Sequence, residues 1–258
     1  MNFFDASSTR VVGHRGSPTK ALENTFESFD RAEADGADAF ELDVRLTLDG
    51  EAVVHHDAEI LFGGRRVPLA TLTIPELSET PIARGELQGF VPTLRDVFLR
   101  YGSSGRYLVE LKPGPSPRPS LLEFRVAALL AQLKLLEKAM VLSFSPDALR
   151  RVRELEPGVA TCLNYDGTAH RPEGRLWPDL PKGCAAIGPN VALVSDALFE
   201  RAKAEGLSVH VWTVNDPALA AQLARLGAAS VISDDVSITG PAIREVTGAL
   251  APLGVRSR

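Results

Sequence analysis

Cysteine is scarce: the 258-residue chain has two, Cys162 and Cys184. That is too few for the disulfide framework of a small secreted domain, and two reduced, buried thiols are expected. Long apolar runs are missing as well. Nothing approaches the roughly 20 residues that a helix needs to span a bilayer, and residues 1–10 contain no basic start leading into an apolar core. Stable membrane insertion is therefore not expected, and the expected location is the cytoplasm. Blocks of Lys and Arg are also absent, and 28 basic against 33 acidic residues give a net charge of -5. A nucleic acid would find no run of cations to replace its counterions, so it is not an expected partner, and any phosphate must be met locally. No Gly-x-Gly-x-x-Gly follows the first apolar run, which weighs against a dinucleotide-binding sheet.

Against these absences stands a regular alternation. Short apolar runs begin at Val11, Ala39, Tyr107, Ala139, Gly158, Cys184, Leu207 and Ser230, and most are followed by apolar residues at helical spacing. Asn24 or Thr25 caps one such helix, which carries Phe26, Phe29 and Ala32 and stops at Gly36; Ser145-Pro146 opens another. Eight strands alternating with helices at this length predict an α/β fold in one domain over residues 1–258. The architecture would be a (β/α)8 TIM barrel, with an open doubly wound sheet as the alternative. Two stretches break the rhythm. Residues 58–92, rich in Pro and carrying Gly63-Gly64, read as a small insertion after the second strand, a lid over the barrel mouth. Residues 164–183 show no helical period, so a regular helix is expected to be missing there.

The chemistry concentrates in residues 39–57. On a strand, Glu41 and Asp43 face one side while Phe40, Leu42 and Val44 face the other. Two carboxylates so close repel one another, so either one keeps a proton or a cation sits between them; a hard divalent cation is the simpler resolution. Asp49-Gly50 then supplies a turn, and the next apolar run ends at His56, a group able to move protons near neutral pH. A barrel bears its site at the carboxyl ends of its strands. There the polar and titratable residues fall: His14 and Arg15 after the first strand, Glu41 and Asp43 on the second, Glu110 and Lys112 on the third, with Trp212 and Asn215 on the seventh. Glu41, Asp43 and Glu110 form an oxygen-rich set suited to Mg2+ or Ca2+, whereas zinc would draw on more His or Cys. Arg15 and Lys112 are placed to hold an anion, and His14 and His56 offer a base and an acid. A plainer reading makes Glu41 and Asp43 an ion-pair network with Arg15 and Lys112; Glu110 on the next strand tips the balance toward metal. Trp212 is either packing at the mouth or an apolar wall for substrate carbons. His55, His170, His210 and Phe144 are expected to be structural.

In this order and at these spacings, His14-Arg15-Gly16, Glu23-Asn24-Thr25, Glu41-Leu42-Asp43-Val44, His56-Asp57, Glu110-Leu111-Lys112 and Trp212-Thr213-Val214-Asn215 resemble the glycerophosphodiester phosphodiesterase family across nearly the whole chain. The resemblance implies a barrel hydrolase that takes a small-molecule glycerophosphodiester to glycerol 3-phosphate and an alcohol. It implies a divalent metal on Glu41, Asp43 and Glu110, the acid/base pair at His14 and His56, and Glu23 orienting Arg15. One departure stands out: where the family carries an Arg-Thr-Thr element after His56-Asp57, this chain has Ile60-Leu61-Phe62-Gly63-Gly64-Arg65-Arg66, so lid contacts and substrate choice are expected to differ. Two other functions fit the residues. One is a Mg2+-dependent lyase or aldolase holding an enolate, and the other is a barrel that binds phosphodiesters without turnover. Two histidines beside an anion clamp favour hydrolysis.

Overall fold

The computed structural model describes residues 8–112, 114, 121–167 and 177–248. In chain order the elements are β1 (Arg10–His14), α1 (Phe26–Ala34), β2 (Ala39–Leu46), β3 (Ala52–Val54), β4 (Glu59–Phe62), β5 (Arg65–Pro68), α2 (Ile74–Glu79), β6 (Ile82–Arg84), β7 (Leu87–Gly89), α3 (Leu94–Tyr101), β8 (Tyr107–Leu111), α4 (Leu121–Gln132), β9 (Ala139–Ser143), α5 (Pro146–Leu155), β10 (Ala160–Tyr165), β11 (Ala186–Pro189), α6 (Asp196–Ala204), β12 (Ser208–Val211), α7 (Pro217–Arg225), β13 (Ser230–Ser233) and α8 (Val236–Thr247). Strands β1, β2 and β8 to β13 are parallel neighbours, and β1 pairs with both β13 and β2, which closes the ring. The expected eight-stranded barrel is the observed one. No helix among the described residues is long and apolar enough to cross a membrane.

Alternation along the strands sorts side chains into two layers. Phe40, Leu42 and Val44 of β2 face outward and pack with Phe29 of α1 and Tyr101 of α3. Phe40 meets Phe29 at 5.4 Å and Tyr101 at 4.9 Å between ring centroids, the tilted contact that aromatic rings prefer. Inward residues Val12, Leu108, Met140, Leu142, Cys162 and Ile232 fill the barrel as an apolar plug beneath the mouth. Each large side chain so buried contributes roughly 1.5–3 kcal/mol. Lower in the barrel, His210 lies between the hydroxyls of Ser208 (3.1 Å) and Ser230 (2.8 Å). Burial alone lowers its pKa to about 4, so it is a neutral structural histidine, as expected. Cys162 and Cys184 are free thiols.

Local signals set the helix ends. Thr25 caps α1 by accepting from Ser28 N, Thr93 caps α3 from Asp96 N, and Ser145 caps α5 from Ala148 N ahead of Pro146.

The insertion is more ordered than its composition predicts. Its two hairpins, β4–β5 and β6–β7, flank α2, and Ile60, Leu69, Leu72, Leu77, Ile82 and Val91 bury against Leu22 and Val53 to form a small separate core. Gly63 and Gly64, expected to give the segment a flexible point, take φ of 55° and 79° between paired Phe62 and Arg65. That is what a two-residue hairpin turn demands. Between β10 and β11 no helix occurs among the described residues, in line with the aperiodic sequence. His170, Pro113, residues 115–120 and Ala249 lie outside the described residues.

Candidate active site

Strand register assembles the site. Pairing of β1 with β2 sets His14 beside Glu41, and pairing of β2 with β8 sets Asp43 beside Glu110. Partners in adjacent parallel strands share a face, so these four side chains converge inside the mouth. The loop after β1 completes the wall. Arg15 adopts φ of 54°, a left-handed conformation that costs a non-glycine residue about 1 kcal/mol or more. Three contacts hold it there: its N–H donates to Glu41 Oε2 (3.1 Å), its carbonyl accepts from Asn24 N (2.9 Å), and Ser28 Oγ donates to the same carbonyl (2.9 Å). Gly13 permits the approach, because a Cβ there would stand 2.5 Å from the Gly16 carbonyl oxygen.

A cavity of about 180 Å³ results, lined by His14, Arg15, Glu41, His56, Glu110, Lys112, Leu142, Phe144, Asn164, Trp212, Thr213 and Ile232. Seven of the eight candidate site residues named from the sequence line it. The eighth, Asp43, lies just behind, 1% exposed. Glu41, Asp43 and Glu110 each offer a ligand atom within 4.8 Å of the others, the one such acidic or His/Cys group among the described residues, and so a possible metal site. Arg15 Nε pairs with Asp43 at 3.1 Å, while Lys112 Nζ bridges Asp43 at 3.2 Å and Glu110 at 2.5 Å.

Three buried carboxylates against two fixed cations leave a surplus negative charge, and the titration behaviour reflects it. Burial, then the Asp43 charge, raise the Glu41 pKa to about 8. Burial also raises Glu110. For Asp43, burial acts upward, but Lys112 and Arg15 outweigh it and hold the carboxyl below its usual value. Two like charges at 4.8 Å repel by about 3 kcal/mol at an effective dielectric near 20, which a divalent cation would relieve. An all-oxygen donor set with this surplus fits a hard divalent ion.

The two histidines differ in setting. His14 Nδ1 lies 2.6 Å from Asp234 Oδ1, leaving Nε2 on the Glu41 side at 3.9 Å. Burial acts to lower the His14 pKa, but the Asp234 hydrogen bond and the Glu41 charge override it and the net shift is upward. His56 Nδ1 pairs with Asp57 at 2.8 Å, yet burial, with Lys112 and Arg15 nearby, lowers its pKa.

Several residues of the site escaped the sequence reading. Asp234 is fixed by Asn215, whose Nδ2 donates to Asp234 Oδ2 at 2.7 Å and whose Oδ1 accepts from Asp234 N at 2.9 Å. Its position just after the eighth strand was an available signal. Asn164 Nδ2 donates to Glu110 Oε2 at 3.2 Å, and Asn24 Nδ2 to Asp43 Oδ2 at 2.9 Å. Phe144, expected in the core, instead lines the cavity edge-to-face with Trp212 at 5.5 Å, with Lys112 Nζ 5.8 Å from its ring centroid. Glu23 does reach Arg15 (2.9 Å), and it also accepts from Arg84 of β6 (2.8 Å), which fastens the insertion to the loop after β1. Because Asp234 fixes the ring that faces the cavity, Asp234→Asn is expected to lower kcat about 10- to 100-fold with KM nearly unchanged, part of what a positioned proton-transfer group supplies. Steady-state kinetics check this; a change confined to KM would deny Asp234 the role.

The chain matches the glycerophosphoryl diester phosphodiesterase family over residues 14–238. It is 30% identical over 234 residues to the glycerophosphodiester phosphodiesterase of Caldanaerobacter subterraneus, covering 88% of this chain and 94% of that protein. The glycerophosphodiester phosphodiesterase structure from Thermotoga maritima is 26% identical at a TM-score of 0.71, over 92% of this chain and 99% of that one. A phosphodiesterase of Oleispira antarctica, solved with its product sn-glycerol-3-phosphate, shares the fold at a TM-score of 0.73 and 24% identity, over 93% and 98% of the two chains. Sequence, barrel and strand-end chemistry agree that the chain belongs to the glycerophosphoryl diester phosphodiesterase family and is an enzyme of that class.

Proposed function

We propose that this site hydrolyses glycerophosphodiesters to glycerol 3-phosphate and an alcohol with the help of one divalent cation, Mg2+ or Ca2+, held by Glu41, Asp43 and Glu110. One observation carries the reading: three buried carboxylates converge within 4.8 Å at the wall of one cavity that two histidines and two cations also line. The charge balance supports it. A divalent ion turns the surplus negative charge into a single positive one, which matches the single negative charge of a phosphodiester. When bound, the cation polarises a phosphoryl oxygen and offsets the charge that develops there. Arg15 and Lys112 add hydrogen-bond donors to the same oxygens. Trp212 and Phe144 give an apolar wall for the carbons.

His14, backed by Asp234, is the stronger base and takes the proton from the attacking oxygen. His56 gives one to the departing alkoxide. The insertion, tied to Arg15 through Arg84 and Glu23, acts as a lid that bears on substrate choice. The product bound to the Oleispira antarctica relative supports glycerol 3-phosphate as the product here. The test is an assay with glycerophosphoethanolamine, with and without a chelator. Glycerol 3-phosphate should appear, vanish on chelation, and return with Mg2+ or Ca2+. Unaltered release under chelation would remove the metal from the mechanism, and binding without release would favour a non-catalytic barrel.

A further inference from the structure

Pockets that enclose a drug-sized ligand occupy about 300–1,000 Å³. The catalytic cavity, about 180 Å³, is smaller, so a diester seated there by its glycerophosphoryl end must send its second alcohol elsewhere. A neighbouring open cavity of about 280 Å³ shares Glu110, Lys112 and Phe144 with it and is bounded further by Arg45, Leu111, Ser143 and Ser145. It opens where β9 ends and α5 begins.

The polar groups on this second wall are unequal. Lys112 Nζ is already shared between Glu110 and Asp43. Ser143 Oγ donates to Leu111 O (3.2 Å) and accepts from Ser145 N (3.1 Å), so it is occupied, whereas Ser145 Oγ accepts from Ala148 N (3.2 Å) and keeps its own hydrogen to donate. Arg45 is different. Its Nε donates to His56 O at 2.7 Å, and its Nη1 stands 3.5 Å from Lys112 O, both neutral carbonyls. Asp43, Asp57 and Glu110 act on it through space, without a hydrogen bond. A guanidinium carries five N–H donors in a planar fork that suits a carboxylate or phosphate. Partly buried without such a partner, it is a charge awaiting an anion.

We propose that the cavity beside Arg45 receives the departing alcohol and favours alcohols that carry an anionic group, a carboxylate or a phosphate, over alcohols that carry only a cation. The assignment rests on the phosphodiesterase reading of the adjoining site. The test compares glycerophosphoserine with glycerophosphoethanolamine, which differ by one carboxylate, through the ratio of their kcat/KM values. The ratio should favour the serine diester by about tenfold or more, the scale of one charge-assisted hydrogen bond. In Arg45→Met it should fall toward one, and in Arg45→Lys part of it should survive. Because Arg45 also steadies the His56 carbonyl, Arg45→Met lowers the rate on both diesters, and that common loss cancels in the ratio. A wild-type ratio near one, or an unchanged ratio in Arg45→Met, would overturn the subsite and leave the phosphodiesterase reading standing. No turnover of either diester with added Mg2+ or Ca2+ would overturn both. The wild-type ratio alone decides the matter should the variants fail to fold.

Discussion

Glu41→Gln is expected to abolish activity, by about a thousandfold or more, while making the metal-free protein harder to unfold at alkaline pH. The two effects share a cause. On the proposed mechanism, loss of a ligand removes a cation worth several kcal/mol to the transition state, yet the carboxylate it replaces is a burden to the fold without that cation. Burial first, and Asp43 second, raise the Glu41 pKa from an ordinary 4.5 to about 8. A raised folded pKa means that the native state holds a proton which the unfolded chain releases. The contribution of Glu41 to stability is thus fully present below about pH 4.5 and is lost as pH rises through about 8. Glutamine does not titrate, so wild type under chelation should lose stability over that window relative to Glu41→Gln. Saturating Mg2+ or Ca2+ should close the gap. Asp43→Asn should behave in the opposite sense: equally inactive but less stable, by about 3 kcal/mol, because Lys112 and Arg15 lose the carboxylate that holds its proton off. Thermal unfolding at several pH values, with and without chelator, reads both. Parallel pH profiles for wild type and Glu41→Gln would disprove the account.

His56→Ala should cost about 10²- to 10⁴-fold on a diester with a poor leaving alcohol. It should cost far less on a nitrophenyl diester, whose leaving group departs with little protonation. His14→Ala should cost the same on both, because the attacking oxygen needs its proton removed whatever leaves. The histidine settings explain the division: Asp234 at 2.6 Å sustains the basicity of His14, whereas burial beside Lys112 and Arg15 makes His56 a readier donor once protonated. Rate measurements on the substrate pair decide it. Equal losses on both substrates for His56→Ala would deny His56 the acid role.

The barrel was readable in the chain because each of its eight strands is a buried apolar run bounded by turn residues, and the observed starts lie within two residues of those expected. The converging residues were readable for a related reason: polar side chains at strand ends have nowhere to point but the mouth. What the sequence did not show is which side chains ring closure would bring together. Asp234 meets His14 across 220 positions only because β13 pairs with β1. Phe144 looked like core because it extends an apolar strand, yet it lies one residue past the end of β9, where the barrel opens. The strands β4 to β7 are three or four residues long, too short for alternation to show, and their small core depends on Leu22 and Val53 from outside the segment.

That dependence sets the terms on which residues 58–92 could be exchanged between relatives. The segment leaves and rejoins the chain outside the barrel ladder, so a transplant would not disturb strand register. It would still need a recipient offering apolar groups where Leu22 and Val53 stand and a carboxylate where Glu23 answers both Arg84 and Arg15. Insertion and recipient loop form one hereditary unit, and a chimera that moves the first without the second should fold its barrel yet leave the Arg15 guanidinium misaligned at the cavity.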